Sequence, residues 1–282
     1  MLLATLLREL IVSEQFDRIP EPDAIMDSDE AVSAFVRAGQ PNGILSGVYA
    51  FLAERACNMI RPGDRVLDLG CGPAQLLSSV AALSEDASFV GVDCSATMIA
   101  TGKELLRCLP ARNVALRIDD MTELSSVESR SVDVVLSSMA LHHLPDIDHL
   151  QRCFKAIERV TAPDARIFIA DFGRLKSVKS IEYFVRRAIP KDQPRLEHDY
   201  RGSLRAAFSK EELIGALSSQ MTQRIRVYST VVSPVMVVLM SPFPGPRRRS
   251  NANLAAYALS RSRRADYRQL RLCLRLGGMP SR

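Results

Sequence analysis

The stretch Arg65-Val66-Leu67-Asp68-Leu69-Gly70-Cys71-Gly72-Pro73-Ala74 constrains this 282-residue chain more than any other. Val66 to Leu69 is a short apolar run that reads as a buried strand, and it passes directly into a glycine turn and a helical pattern from Ala74 to Leu83. Gly70 and Gly72 carry no Cβ, so the backbone can take positive φ there and a ligand can approach it closely. The helix that follows directs its free N–H groups and the positive end of its dipole at that loop. Strand, turn and helix together form a platform for a polar, partly anionic small molecule at the carboxyl end of a strand. A second apolar run, Phe89 to Val92, ends at Asp93, 21 residues beyond Gly72, where a carboxylate accepts hydrogen bonds from ribose hydroxyls.

From Arg65 to Phe172, apolar strand runs alternate with helical patterns near 74–83, 95–108 and 147–160. That alternation predicts parallel strands joined by right-handed crossovers, a doubly wound α/β sheet with its ligand site outside the carboxyl ends of the strands. Residues 1–60 read as helical cover. Leu2, Leu3, Leu6, Leu7, Leu10 and Ile11 recur at helical spacing as one apolar stripe, and a Pro- and Asp-containing loop runs from Ile19 to Asp29. Helices are expected over Glu30–Ala38 and about Ile44–Ile60, broken by Gln40-Pro41-Asn42-Gly43. Residues 177–208 read as an insertion after the fifth strand, with a helix over Val178–Ile189, and Ser209 with Glu212 forms a capping box for the next helix.

The run Val66 to Gly72, with Gly91-Val92-Asp93-Cys94-Ser95 and Met98 after it, resembles the class I S-adenosylmethionine-dependent methyltransferases of small-molecule type. Asp120 to Leu124 after a strand Val114–Ile118, the run Val132 to Leu144, and Arg166 to Phe172 fit that family in order and spacing, over roughly residues 60–240. The resemblance implies S-adenosyl-L-methionine as cofactor and a Rossmann-like, mostly parallel seven-stranded sheet. Its last two strands, Arg224–Ser229 and Val231–Met240, would pair antiparallel within a domain over 61–245. One departure is Ala74, where the family usually carries a third glycine.

The resemblance also implies roles for particular residues. Gly70, Cys71 and Gly72 would form the cofactor turn, with Asp68 orienting it or meeting the cationic methionine part, and Asp93 and Cys94 at the ribose. Met98 and Met121 would flank the adenine, and Asp120 would meet its amino group, with Asp119 one residue away as the alternative register. Ser137 and Ser138 would line the passage to the methyl group. His142 and His143 follow the fourth strand, on the loop that faces the transferring methyl. A histidine with an ordinary pKa near 6.5 can deprotonate an oxygen or nitrogen acceptor there. Asp171 is a second candidate base or a substrate anchor, and Tyr49, Tyr200 and Arg201 are candidate acceptor-pocket residues. Helices ahead of the first strand either fold over the cofactor or only pack on the sheet.

Charge divides the chain. Arg247 to Arg282 holds ten arginines and one acid, Asp266, about +9, whereas the preceding 246 residues hold 27 basic and 31 acidic side chains. After the Pro- and Gly-rich linker Ser241–Arg249, residues 246–282 read as an appendage, a solvated tail with a basic helix over Leu254–Leu276. Its removal is expected to leave the fold intact, and it is the one part of the chain suited to nucleic acid or anionic lipid. Six cysteines without C-x-x-C or metal spacing read as reduced thiols of a cytoplasmic protein with no metal site. Met1 to Val12 does not read as a signal peptide, and Val231 to Met240 is too short to span a bilayer. The rival functions are nicotinamide oxidoreduction, methylation of RNA, peptide or protein, and a non-catalytic cofactor-binding partner. The first calls for a third glycine where this chain has Gln75. Methylation of a base amino group calls for an Asn/Asp-Pro-Pro-aromatic run where it has Ser-Ser-Met-Ala.

Overall fold

The glycine-turn strand is β1 (Arg65–Leu69), paired in parallel with β2 (Ser88–Asp93) on one side and β4 (Val132–Ser138) on the other. In this computed structural model, which describes residues 2–12, 16–22, 26–109, 113–243 and 259–280, β3 (Val114–Ile118) extends the sheet beyond β2, and β5 (Thr161–Asp171) extends it beyond β4. The last strands are β6 (Arg226–Ser229) and β7 (Val237–Met240). β7 pairs antiparallel with both β5 and β6, which gives the order β3-β2-β1-β4-β5-β7-β6. β7 begins later than the expected Val231. Thr230 Oγ1 donates to Ser233 O and accepts from Met236 N, closing a turn around Pro234, which has no N–H to give a ladder.

Side-chain alternation along the strands builds two cores. Val66, Val134 and Phe168 pack with Phe51 and Leu52 of α3 (Ser46–Met59), while Leu67, Val135 and Ile169 pack with Phe154 and Ile157 of α6 (Ile147–Val160). The crossover helices α4 (Gln75–Ala82) and α5 (Ala96–Arg107) follow β1 and β2. After β5 come α7 (Val178–Ala188), α8 (Pro194–Ala206), α9 (Lys210–Ala216) and α10 (Ser219–Arg224), and α9 starts with the Ser209–Glu212 capping box. Ahead of β1 lie α1 (Leu2–Ile11) and α2 (Asp29–Gly39).

The described part of the C-terminal segment corrects the expectation of a solvated appendage. It forms α11 (Arg261–Leu276), which lies along α3. Tyr267 and Leu274 are buried in the α3-side core with Leu259 and Met279, and Leu270 packs against it. Tyr267 donates its hydroxyl to Glu54, and Arg55 donates to Pro280 O. A Cβ at Gly47 would stand 2.6 Å from Arg263 O, so a residue without one is what lets the two helices approach. The physical reason is spacing. Tyr267, Leu270 and Leu274 stand at i, i+3 and i+7, a narrow apolar stripe that a count of arginines conceals. Residues 247–258 lie outside the described residues.

α1 shows the opposite inversion. Its Thr5 and Glu9 are buried, and both Glu9 carboxylate oxygens accept from Lys176 N, whereas Leu3, Leu7, Leu10 and Ile11 are 70%, 47%, 62% and 77% exposed. Each such side chain forgoes roughly 1.5–3 kcal/mol of burial.

Candidate active site

At the carboxyl ends of β1, β2 and β3 lies a cavity of about 320 Å³. Three residues in the β1–α4 turn have positive φ, Gly70 at 63°, Gly72 at 51° and Ala74 at 57°. Alanine at the third site holds a left-handed conformation that a glycine takes without strain. A Cβ at Gly70 would stand 2.4 Å from Ala140 Cβ, so this turn and the loop after β4 close on each other across the β1–β4 seam.

Asp93 faces the cavity from the end of β2. Its Oδ2 accepts from Gly72 N at 2.8 Å and its Oδ1 from Ser95 N at 2.9 Å, which fixes the carboxylate while each oxygen keeps a further lone pair for a ligand hydroxyl. Burial raises its pKa against the pull of those two N–H bonds. At the end of β3 the two possible registers separate. Asp119 spends both oxygens on the turn, accepting from Ser125 N, Ser126 N and the Ser126 hydroxyl. Asp120 accepts from Thr122 N through Oδ1, and both aspartates border the cavity. Cys71, Cys94, Met98 and Met121 complete this wall. Burial, followed by Asp93, pushes the Cys94 thiol up to about 11, so the sulfur stands as a neutral wall group.

Two residues expected at the cofactor are not in the cavity wall. Asp68 is buried among Leu52, Ala56, Leu77 and Phe168 on the α3 side of β1, where burial and then Asp93 raise its carboxyl to about 7. Ser137 is buried and donates to Leu69 O, and the strand alternation puts Ser138 in the wall instead.

The other end of the cavity is built by the loop after β4. Asp171, ending β5, is fully buried in hydrogen bonds: its Oδ2 accepts from Ala140 N and His142 N, and its Oδ1 lies 2.7 Å from His142 Nδ1 and accepts from Phe172 N. Asp171 and the buried His142 thus shape a 3₁₀ turn over Leu141–His143 rather than facing a substrate, which corrects the expectation that either one is a base. His143 alone of the three reaches the cavity wall.

The partner of His143 comes from a segment that reads only as a loop. Glu21 Oε2 lies 2.6 Å from His143 Nδ1, and Glu21 Oε1 accepts from the Ser203 hydroxyl of α8 at 2.9 Å. Burial raises the Glu21 carboxyl, but the contact with His143, the charge of His142 and the Ser203 hydroxyl outweigh it and hold it at about 2. Burial pulls the His143 imidazolium down, yet Glu21, with Asp171 and Asp93 behind it, lifts it above the ordinary value. Three residues earlier, Arg18 fastens the same segment to the loop. Its guanidinium donates to the carbonyls of Ala206, Pro145, His142 and Leu144 and lies 3.9 Å over the Phe208 ring. Met26 follows into the cavity wall, and Asp27 Oδ1 contacts the Ser95 hydroxyl at 2.5 Å, so residues 16–22 and 26–28 form a strap that reaches both ends of the cavity. Neither Glu21 nor Arg18 carries a motif; the prolines on either side of Glu21 are the only local sign that it is held extended.

Tyr49 stands in the cavity wall with Phe35. Tyr200 and Arg201 do not. Tyr200 packs edge-on to Phe172, and Arg201 is held by Glu182 and Glu197 on the α7–α8 surface. Glu21, His142 and His143 bring ligand atoms within 4.8 Å of one another. Two ligands on one tetrahedral zinc ion stand about 3.3 Å apart, so the 2.6 Å Glu21–His143 contact is the geometry of an ion pair.

The donor set fits S-adenosylmethionine: a carboxylate with spare lone pairs for a diol, a second for an amine, thioether and thiol walls for a ring, and a turn of positive-φ residues. Residues 60–224 match the family model for the methyltransferase domain. Demethylmenaquinone methyltransferases of Bacillus cereus and Bacillus anthracis are 30% identical over 109 residues, 38% of this chain and 44% of each relative, so the match spans less than half of those proteins. Among solved structures, an S-adenosylmethionine-dependent methyltransferase from Aquifex aeolicus superposes with TM-score 0.53 at 18% identity, over 75% of this chain and 98% of that one. A Nostoc punctiforme protein of O-methyltransferase type gives 0.55 at 17% identity, over 85% and 68%.

Proposed function

We propose that this chain, which belongs to the methyltransferase-domain family, uses S-adenosylmethionine to methylate a small molecule at an atom that gives up a proton, and that His143 receives that proton. The observation that carries the reading is His143 in the cavity wall, paired with Glu21 behind it. The bound cofactor supplies the activated methyl group. The chain has to hold the acceptor in line, exclude water and take up the proton. Glu21 on Nδ1 leaves Nε2 as the basic nitrogen and steadies the ring once it is charged. Phe35, Tyr49, Met26, Met139 and Leu144 give the rest of that wall an apolar character, suited to a ring or chain rather than a sugar or peptide. Asp93 and Asp120 are read as the ribose and adenine anchors, with Met98, Met121 and Cys94 as the ring walls.

A second reading concerns the accepting atom. The Bacillus relatives are named for methyl transfer to demethylmenaquinone, and the apolar wall supports a ring carbon activated by a neighbouring hydroxyl as well as a hydroxyl oxygen. Purified full chain with isotopically labelled cofactor, offered phenols, hydroquinones, amines and thiols across a pH series, tests both. Turnover of a phenol or hydroquinone that rises with pH is expected. Labelling confined to RNA or protein, or a rate independent of pH, overturns the proposal.

A further inference from the structure

The α1 surface has a chemistry that the methyl-transfer site does not use. α1 buries its polar residues and leaves Leu3, Leu7, Leu10 and Ile11 in solvent, and Val178 at the start of α7 is exposed beside them. Between the two helices runs a groove of about 370 Å³ lined by Ala4, Thr5, Arg8, Val178, Lys179, Glu182, Tyr183 and Arg186. Three of those residues are cations, and the one acid, Glu182, is held by Arg201 on its far side. Arg187 is exposed on the same helix. An apolar ridge beside a cationic groove complements a surface that offers acyl chains and anionic phosphate groups in one plane. No helix among the described residues is long and apolar enough to cross a membrane.

We infer that α1 and α7 form a docking face for an anionic phospholipid bilayer, with the α1 leucines entering the acyl boundary and Arg8, Lys179 and Arg186 meeting headgroup phosphates. The burial of Thr5 and Glu9 favours this orientation, because the Glu9 bonds to Lys176 N fix the helix with its leucines outward. A mere packing helix would turn its leucines to the core. The face also lies on the same chain segment as the strap. Seven residues beyond Ile11, Arg18 ties that segment to the loop that carries His143, so a docked α1 brings the acceptor end of the cavity near the bilayer. That consequence, delivery of a membrane-partitioned acceptor, rests on the apolar-acceptor reading above, whereas the docking itself does not.

The test is sedimentation of purified full chain with vesicles of phosphatidylcholine and of phosphatidylcholine mixed with phosphatidylglycerol. The chain is expected to pellet with the mixed vesicles and to stay largely in solution with the neutral ones. Leu7→Glu combined with Leu10→Glu should abolish pelleting. Lys179→Gln and Arg186→Gln should each weaken it about fivefold. All four positions are on the surface, and calorimetry with S-adenosylhomocysteine on each variant separates loss of docking from loss of the fold or the cofactor site. No retention on mixed vesicles, equal retention on both kinds, or wild-type binding by the leucine variant overturns the inference. So does a dimer in ultracentrifugation that the leucine variant dissociates while vesicles are ignored, which would make a second copy the partner. In each of these cases, intact cofactor binding and turnover of a water-soluble acceptor would leave the proposed function standing.

Discussion

The two halves of the cavity are built by different means. The half read as the cofactor site is lined by Gly70–Pro73, Asp93–Ser95 and Asp119–Met121, at the ends of three adjacent parallel strands, so the order of the sheet alone brings those residues together. The rest of the lining comes from elements outside those strand ends, Met26 of the strap, Phe35 of α2, Tyr49 of α3 and the loop at 140–145, with Glu21 and Ser203 of α8 behind His143. No single element carries it, and the strap is held by one arginine on four carbonyls. A scaffold built this way can alter its acceptor by changing the strap and helices while the strand ends keep the cofactor. The two carboxylates that end β2 and β5 show the same division. Asp93 keeps lone pairs for a ligand, whereas Asp171 is taken up in shaping a loop.

If the halves are separable, His143→Ala should lower kcat by about 10²–10⁴-fold and leave affinity for S-adenosylhomocysteine unchanged. A parallel loss of cofactor affinity in calorimetry would show that the halves are one. Asp93→Ala should do the reverse, removing charged hydrogen bonds worth about 1.5–3 kcal/mol and weakening cofactor binding roughly ten- to hundredfold. An unchanged dissociation constant would move the ribose elsewhere. Glu21→Gln sharpens the acceptor side. With its pKa lifted above the ordinary value, the His143 imidazole becomes a base only as pH climbs through that raised value, so the rate should rise with pH. Without the Glu21 charge, the rising limb of the pH–rate profile should move down by about 1–3 units, and an unmoved limb would assign it to another group. Stability follows the same pair. The His143 contribution is present below its unfolded pKa and lost as pH rises through the folded one, while that of Glu21 is present above its unfolded value and lost as pH falls toward about 2. The smallest effect is Ala74→Gly, which relieves a left-handed alanine and should stabilise by a few tenths to about 1 kcal/mol in urea unfolding. Destabilisation would mean that the Ala74 methyl packing matters more than its φ.

The strand-end half was legible because its signals are local. A glycine turn after an apolar run, and an acid closing the next run, read directly from Val66–Gly72 and Phe89–Asp93. Ser137 falls outside the wall for a reason of parity, since in a strand the neighbour of a wall residue, here Ser138, faces the other way, whereas Asp68 lies one step inside the strand, beneath the turn. Outside those strand ends only His143 and Tyr49 were legible, because Glu21 and Arg18 act across more than one hundred residues of sequence and nothing beside them announces it. At the chain ends, composition pointed the wrong way twice. α1 reads apolar and turns its leucines out; α11 reads as arginine and turns Tyr267 and Leu274 in. In both, the position of a few residues around the helix decided burial, and the average did not.

The seat of α11 on α3 bears on how the polypeptide matures. During synthesis α3 is complete more than two hundred residues before its cover exists, since α3 ends at Met59 and α11 starts at Arg261. Until α11 leaves the ribosome, the nascent chain lacks the Tyr267 and Leu274 cover of its α3-side core, and folding that waits on such distant contacts is slow. A chain cut ahead of α11 would therefore keep Gly70, Gly72 and Asp93 in place and lack a finished α3-side core.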